Sequence, residues 1–259
     1  KRHVTEMQDD LLDKYSVSHS KKIHDVLSST LNFAISQEYL KDNVAREVGN
    51  IDIKPKKHMN FWTLEEFKQF INVIDDLTYR AFFMLLFYSG MRKGEALALT
   101  WSDIDFKNNI IDINKTAYLR RVTSPKNESS IRKIRMPNHT MNILRELKLS
   151  KKNKPNYVVF GEYKDHIPET TIDRRFEKYI NESDVKKIRI HDIRHSHVSY
   201  LINKGVKITM ISERVGHSDP STTLDVYGHL YPNEEQQVVE LMEDDFKQAE
   251  VIELKDRMK

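Results

Sequence analysis

The chain has 259 residues, 39% of them hydrophobic, which allows one large domain with or without a smaller piece and fills a real core. No apolar run approaches the roughly 18 residues needed to span a bilayer, and the charged opening from Lys1 to Asp10 lacks a signal-peptide core, so a soluble, non-secreted protein without membrane association is expected. With no cysteine, disulfides, zinc fingers and thiol nucleophiles are excluded.

The formal charge of +3 hides a segregation along the chain. Asn233 to Lys259 carries nine acidic residues and four basic ones, a net −5 that leaves the remainder at +8. Within that basic body, Lys115 to Arg135 holds seven basic residues and a single acid, Glu128. Such a density suits a phosphate backbone, because each neutralised phosphate releases counterions, though it also describes a solvated hairpin. Lys54, Lys56, Lys57, Arg120, Arg121, Arg132 and Lys133 are the basic residues expected on DNA.

In chain order, Ser16 to about Val48 shows helical apolar spacing (Ile23, Val26, Leu27, Leu31, Phe33, Ala34) and runs into the basic linker Lys54-Pro55-Lys56-Lys57-His58. Thr63-Leu-Glu-Glu66 has the form of a capping box, with Phe67, Phe70, Ile71 and Ile74 at i, i+3, i+4 and i+7 behind it. A second domain starts there. Tyr79 to Tyr88 is apolar almost all round and stops at Ser89-Gly90, as a central buried helix with a glycine cap would.

A short helical stretch to Leu99 precedes strands at Ile104 to Phe106 and Ile110 to Ile113, and then Tyr118 to Val122 and Ile131 to Met136 around a polar turn at Ser124-Pro125. Helices are predicted at Thr140 to Leu149, Thr171 to Ile180, Asp192 to Asn203, Ile208 to Arg214 and Ser221 to Tyr227, punctuated by Gly205 and Gly216. The fold class expected is mainly α with a small antiparallel β-sheet. The acidic segment from Asn233 has enough spaced apolar residues (Val238, Leu241, Phe246, Val251) for a docking helix.

Chemistry concentrates in Tyr88-Ser-Gly-Met-Arg-Lys-Gly-Glu95, His191-Asp-Ile-Arg-His195 and Gly216-His-Ser-Asp-Pro-Ser-Thr-Thr-Leu-Asp-Val-Tyr227. Arg92 follows a glycine that ends a buried helix, with Glu95 one turn on to orient it. His191 and Arg194 stand at i and i+3 and so share a helix face. His217 lies at a glycine turn, and Tyr227 follows ten residues later beyond a Pro-Ser helix start. Taken singly, each has an ordinary reading as a surface arginine, a helix polar residue or a packed tyrosine.

Together these strings resemble the tyrosine recombinase, or phage integrase, family, whose members carry an arginine in a Thr/Ser-Gly-x-Arg-x-x-Glu context, a His-x-x-Arg pair, and a Gly-His box followed by a nucleophilic tyrosine. The family also places a lysine in a turn between two strands, and Ser124-Pro-Lys-Asn-Glu-Ser-Ser-Ile-Arg-Lys-Ile-Arg-Met-Pro137 is similar to that hairpin, with Lys126 in the lysine's place. The resemblance implies a catalytic domain over residues 61–232. Residues 1–53 would be the C-terminal part of a helical core-binding domain, 54–60 a basic linker and 233–259 an acidic C-terminal helix or tail. It implies a fragment of a longer enzyme, bacterial or phage-encoded and cytoplasmic, acting as a homo-tetramer on double-stranded DNA attachment sites of a mobile element.

The chemistry is consistent with that resemblance. An in-line attack on a phosphodiester builds negative charge on the non-bridging oxygens, and preorganised cations must meet it. Arg92 and Arg194, with His191 and His217, suit that task without metal or cofactor. Tyr227, with an ordinary pKa of about 10, needs neighbouring cations or a base such as His191. Lys126 is placed to protonate the leaving 5′ hydroxyl. The arrangement requires these side chains to form one positively charged cup with the phenol at its lip.

Other readings fit parts of the pattern. His191-Asp-Ile-Arg-His195 superficially matches a zinc-protease helix, but aspartate replaces the glutamate and the internal arginine would repel the metal, which leaves His195 and His197 as ordinary helix residues. A non-catalytic helix-turn-helix DNA-binding protein would use Ile208 to Arg214, Gly216 and Ser221 to Tyr227, but gives Arg92, His191 and Arg194 no reason. A type IB topoisomerase shares the chemistry and differs only in lacking the integrase boxes.

Overall fold

The computed structural model describes residues 1–53, 59–119, 121–124, 128–151, 157–230 and 239. The chain divides into two compact units, Lys1–His58 and Met59–Lys259.

The first unit holds α1 (Arg2–Lys14), α2 (Val17–Ser36) and α3 (Val44–Val48). Ser16 caps α2 by accepting from the His19 backbone, and Asn43 caps α3 through Arg46 while its amide donates to Ser28 and Asn32 of α2. Helix α1 goes beyond the expectation, which began at Ser16. Its apolar residues Val4, Met7 and Leu11 do fall at i, i+3 and i+7, but they are scattered among charges and only Val4 is buried.

The second unit begins with α4 (Leu64–Asn72), where the Thr63 hydroxyl and Glu66 carboxylate close the expected capping box. Helix α5 (Leu77–Ser89) is buried nearly all round, capped at its start by Asp76 and stopped by Gly90 in the left-handed region, φ +66°. Around α5 pack Trp62, Phe67, Phe70, Phe160 and Phe176, with the Phe67 and Phe87 rings stacked at 3.8 Å. After α6 (Lys93–Ala98) come β1 (Ile104–Asp105), β2 (Ile110–Ile113), β3 (Thr116–Tyr118), β4 (Arg121–Thr123) and β5 (Arg132–Arg135). The rest is α7 (Asn138–Ser150), the β6 (Gly161–Glu162) and β7 (Asp165–His166) hairpin, α8 (Glu169–Ser183), α9 (Asp192–Ile202), α10 (Ile208–Val215) and α11 (Pro220–Tyr227).

The fold class is as expected, mainly helical with small antiparallel sheets, but the strand pairing is not. Tyr118 to Val122 is no single strand, because Leu119 turns the chain at φ +45° and β3 pairs with β4. Strand β5 instead lies against β2, in the order β1-β2-β5, with Ile111 opposite Ile134. A buried isoleucine on each strand fixes that register, since a one-residue slip of either strand would turn its isoleucine to solvent. The expected acidic docking helix falls in the segment from Asn233, which apart from Val239 lies outside the described residues. Among the described residues no helix is long and apolar enough to cross a membrane.

Candidate active site

The break between α5 and α6 builds the first part of the site. The Gly90 carbonyl accepts from Arg194 Nη1 at 2.7 Å, and Arg92 occupies the N-cap position of α6 with its side chain partly exposed. Glu95, one turn into α6 and almost fully buried, accepts from the Arg92 backbone at 2.9 Å and from its Nη1 at 2.7 Å. Burial would push the Glu95 carboxyl up, but hydrogen bonds and charge from Arg132, then Arg92, hold it below the usual carboxylate range. A charged glutamate therefore aims Arg92.

Arg132 corrects an expectation. It does not face outward for DNA but is buried, with Nε on the Arg214 carbonyl, Nη1 on the Ser130 carbonyl and Nη2 on Glu95. The two-residue period of β5 turns Arg132 and Ile134 inward and leaves Lys133 and Arg135 exposed. Arg121 is exposed on β4. Lys54, Lys56, Lys57 and Arg120 lie outside the described residues, and so does Lys126.

Helix α9 supplies the centre. Its start is anchored where Ser196 bonds both the Trp62 backbone and the Asp192 carbonyl, and by Trp62 Nε1 on the Lys186 carbonyl. Asp192 accepts from Arg189, whose hydrogen bonds and charge outweigh the desolvation of its carboxyl and keep its pKa low. Arg194 is 4% exposed, and among the described residues its Nη2 has no acceptor. Burial, then the nearby Arg92 charge and countered by Glu95, lowers its pKa to about 9, so it stays a cation at neutral pH. A buried cation with an idle donor is costly unless an anion completes it.

His191 and His217 flank that cation. His191 is open to solvent, yet desolvation by the protein beneath it, then His195, Arg194 and Arg92, hold its pKa down to about 4. His217 follows Gly216, whose φ of +71° ends α10 and where a Cβ would press within 3.1 Å of Arg132 and the Ser129 carbonyl. His217 Nδ1 pairs with the buried Thr223 hydroxyl at 2.7 Å. Desolvation, then Arg194, Arg92 and Arg132, brings its pKa to about 4. Both imidazoles are therefore neutral at pH 7, each carrying one ring N–H donor and one acceptor nitrogen. Beneath them, fully buried His197 has a pKa of about 3, from desolvation and then Arg214, and receives a hydrogen bond from Arg214 Nε.

Tyr227, the last residue of α11, departs from expectation. It is only 2% exposed and packs with Val198, Ile202, Ile211 and Val215, so the phenol is not at a lip. Burial, against the pull of Arg194, raises its pKa to about 12. Its hydroxyl nevertheless points into the cluster, hydrogen-bonded to Nδ1 of His195. His195, read from the sequence as an ordinary helix residue, thus touches the phenol, whereas His191 has its ring edge to face with His195 at 5.4 Å. The signal that marks His195 is its i+4 spacing from His191, which places both on one face.

Mutual electrostatic interactions run from Arg194 to Arg92, Glu95, Arg132 and Tyr227, and from His217 to Arg194, Arg92 and His195. Residues from the scattered motifs, Arg92, Arg194, His217 and Tyr227, thus lie within electrostatic reach of one another. Among the described residues, no group of three or more metal-ligating side chains is arranged to hold an ion.

The phage integrase family model matches residues 60–234. The ICEBs1 integrase of Bacillus subtilis (strain 168) is 35% identical over 260 residues, a match covering 94% of this chain and 70% of that protein. The integrase of Staphylococcus phage L54a is 26% identical, covering 85% of this chain and 73% of the phage protein. Among solved structures, the Tn1549 transposon integrase bound to transposon right end DNA aligns with a TM-score of 0.68 at 20% identity, covering 86% of this chain and 80% of that one. A lambda integrase dimer on a COC' core site aligns with a TM-score of 0.64 at 16% identity, covering 85% and 80%. At such identities the structural likeness shows the fold.

Proposed function

The chain belongs to the phage integrase family, and from that membership we propose that its basic pocket breaks and rejoins DNA strands at the attachment sites of a mobile element. It is a tyrosine-type recombinase, a DNA strand transferase. Tyr227 is the nucleophile: its oxygen displaces the 5′ oxygen of a phosphodiester and leaves a 3′-phosphotyrosyl link, which a second 5′ hydroxyl reverses. The bond energy is conserved, so no step calls for ATP.

The observation that carries this reading is the idle Nη2 of buried Arg194, adjoining Arg92, His217 and the phenol. Arg194 and Arg92 neutralise the non-bridging oxygens as charge builds on them. His191 and His217, neutral, donate ring N–H bonds to the same phosphoryl group. Lys126 protonates the departing 5′ oxygen. Residues 61–232 act as the catalytic domain and 1–53 as part of a core-binding domain, with copies assembling as a tetramer on paired sites. Exposed Arg121 and Lys133, with Lys54, Lys56, Lys57 and Arg120, contact the DNA backbone. A helix-turn-helix module that only binds DNA would leave a buried, half-partnered guanidinium without a use.

Nicked duplexes selected from a random pool by covalent capture on the unmodified protein provide the substrate for a test. The protein forms an SDS-resistant adduct with them, and Tyr227→Phe forms none while still binding. An adduct on Tyr227→Phe, or a pool that yields no capture at all, overturns the reading.

A further inference from the structure

We infer that His195 is a catalytic residue, the base that takes the phenol proton from Tyr227 as the tyrosyl oxygen attacks phosphorus. The inference rests on the recombinase reading above and adds to it the group that activates the nucleophile. His195 touches the reacting atom itself, since its Nδ1 is hydrogen-bonded to the Tyr227 hydroxyl. The ring lies 5.6 Å, centroid to centroid, from the phenol and keeps a fifth of its side-chain surface exposed.

The other ring nitrogen settles which way the proton runs. Nε2 of His195 faces Asp192 Oδ1 at 3.9 Å. That carboxylate is buried and charged, held by Arg189. An N–H pointed at a buried anion is the favoured tautomer, which leaves the Nδ1 lone pair free to accept from the phenol. Desolvation, and after it Arg189 and Arg194, hold the His195 ring below the ordinary imidazole range, and Asp192 works against them to stabilise the imidazolium once the proton has moved. Phenol, imidazole and carboxylate thus stand in series, the first pair hydrogen-bonded and the second at ion-pair distance once the ring is charged.

Three features separate His195 from the other histidines. Among the described residues, His191 has its ring contact with His195 rather than with Tyr227. His217 has its Nδ1 committed to Thr223. His197 is buried against Arg214. A phenol whose pKa burial raises to about 12 has a vanishing phenolate fraction at neutral pH, so attack without a base would be slow.

The step balances. The phenol O–H bond breaks and its proton goes to His195 Nδ1. The phenolate pair forms the O–P bond as the P–O5′ bond breaks, and the 5′ oxygen is protonated by the Lys126 ammonium. On rejoining, the incoming 5′ hydroxyl gives its proton back to Lys126, and His195 returns its own to the released phenolate.

Single-turnover adduct formation on the selected nicked duplexes tests this. His195→Ala is expected to slow capture by about 100-fold or more, the usual scale for a lost general base, with DNA affinity changed less than threefold. His195→Gln, which can accept a hydrogen bond but not a proton, is expected to be as slow. Replacing the Tyr227 side chain with a trifluorinated tyrosine, whose far more acidic phenol keeps a much larger phenolate fraction under the same burial, is expected to restore most of the loss in both variants and little in the parent. A slow rate that fluorination does not lift makes the contact merely structural and overturns the inference. A His195→Gln rate equal to the parent's, or above it, overturns it too, the latter marking a contact that restrains the phenol. An adduct on Tyr227→Phe instead sinks the recombinase reading, and the two failures are told apart by that control.

Discussion

Glu95 meets Arg132 with both carboxylate oxygens inside the protein, Oε2 at 2.9 Å and Oε1 at 3.4 Å from the guanidinium. The same carboxylate holds Arg92 from its other side at 2.7 Å. One buried anion therefore sets an interior arginine and a partly exposed one, and β5 and α6 are joined through it.

Removing that anion strands a buried cation. Glu95→Ala is expected to lower stability by about 3–5 kcal/mol, the range for breaking one side of a buried pair, and to lower strand cleavage further than the stability loss explains. Arg132→Ala is expected to cost a similar amount. The double variant should be less destabilised than the two losses added, because neither charge is then left alone. Urea midpoints for the four proteins check this, and strict additivity would rule out the coupling.

On the proposed reading, Arg194 trades stability for chemistry. Arg194→Met keeps the side-chain volume and removes a desolvated charge with an idle donor, so the variant is expected to melt no lower than the parent and to lose cleavage by a few kcal/mol of transition-state stabilisation. Vanadate or sulfate should raise the melting temperature of the parent and leave Arg194→Met unmoved, since the anion completes the guanidinium. Thermal melts with and without the anion read both effects. An Arg194→Met protein that melts far below the parent would contradict them.

Acid should unfold the second unit through its histidines. His197, at a pKa of about 3, and His191 and His217, at about 4, sit below the ordinary 6.5 of the unfolded chain. The unfolded state therefore binds more protons, and stability is intact above pH 6.5 and drains away as pH falls from there toward 4. For buried His197 alone the loss is on the order of a few kcal/mol. Melting temperatures across pH 7 to 4 should fall steeply for the parent and less steeply for His197→Gln. A flat profile would show that these rings are protonated in the fold.

Features set by local chemistry are legible in the order of the residues. Ser16, Thr63 and Gly90 end helices through groups within a few residues, and the motifs around Arg92, His191 and Tyr227 announce both family and chemistry. The pairing of β5 with β2 is not legible there, because β3 and β4 intervene and register depends on partners distant in sequence. The inward turn of Arg132 is within reach, since Ile134 two residues on fixes the face of the strand. The burial of Tyr227 is not, as α11 has exposed Leu224 and buried Thr223 side by side and its packing partners come from α9 and α10. The contact between His195 and the phenol spans 32 positions of chain, so local spacing places the ring on the right face without naming its partner.

The sealed phenol has a bearing on fidelity. A protein whose attacking atom is covered and fully protonated is harmless to the duplexes it slides along, however tightly its arginines grip them. If Tyr227 is the nucleophile as proposed, uncovering that atom must draw on the free energy of docking, which a duplex that fits along its whole length supplies best. For the proposed nucleophile, discrimination would then be exercised twice, once at landing and again at commitment.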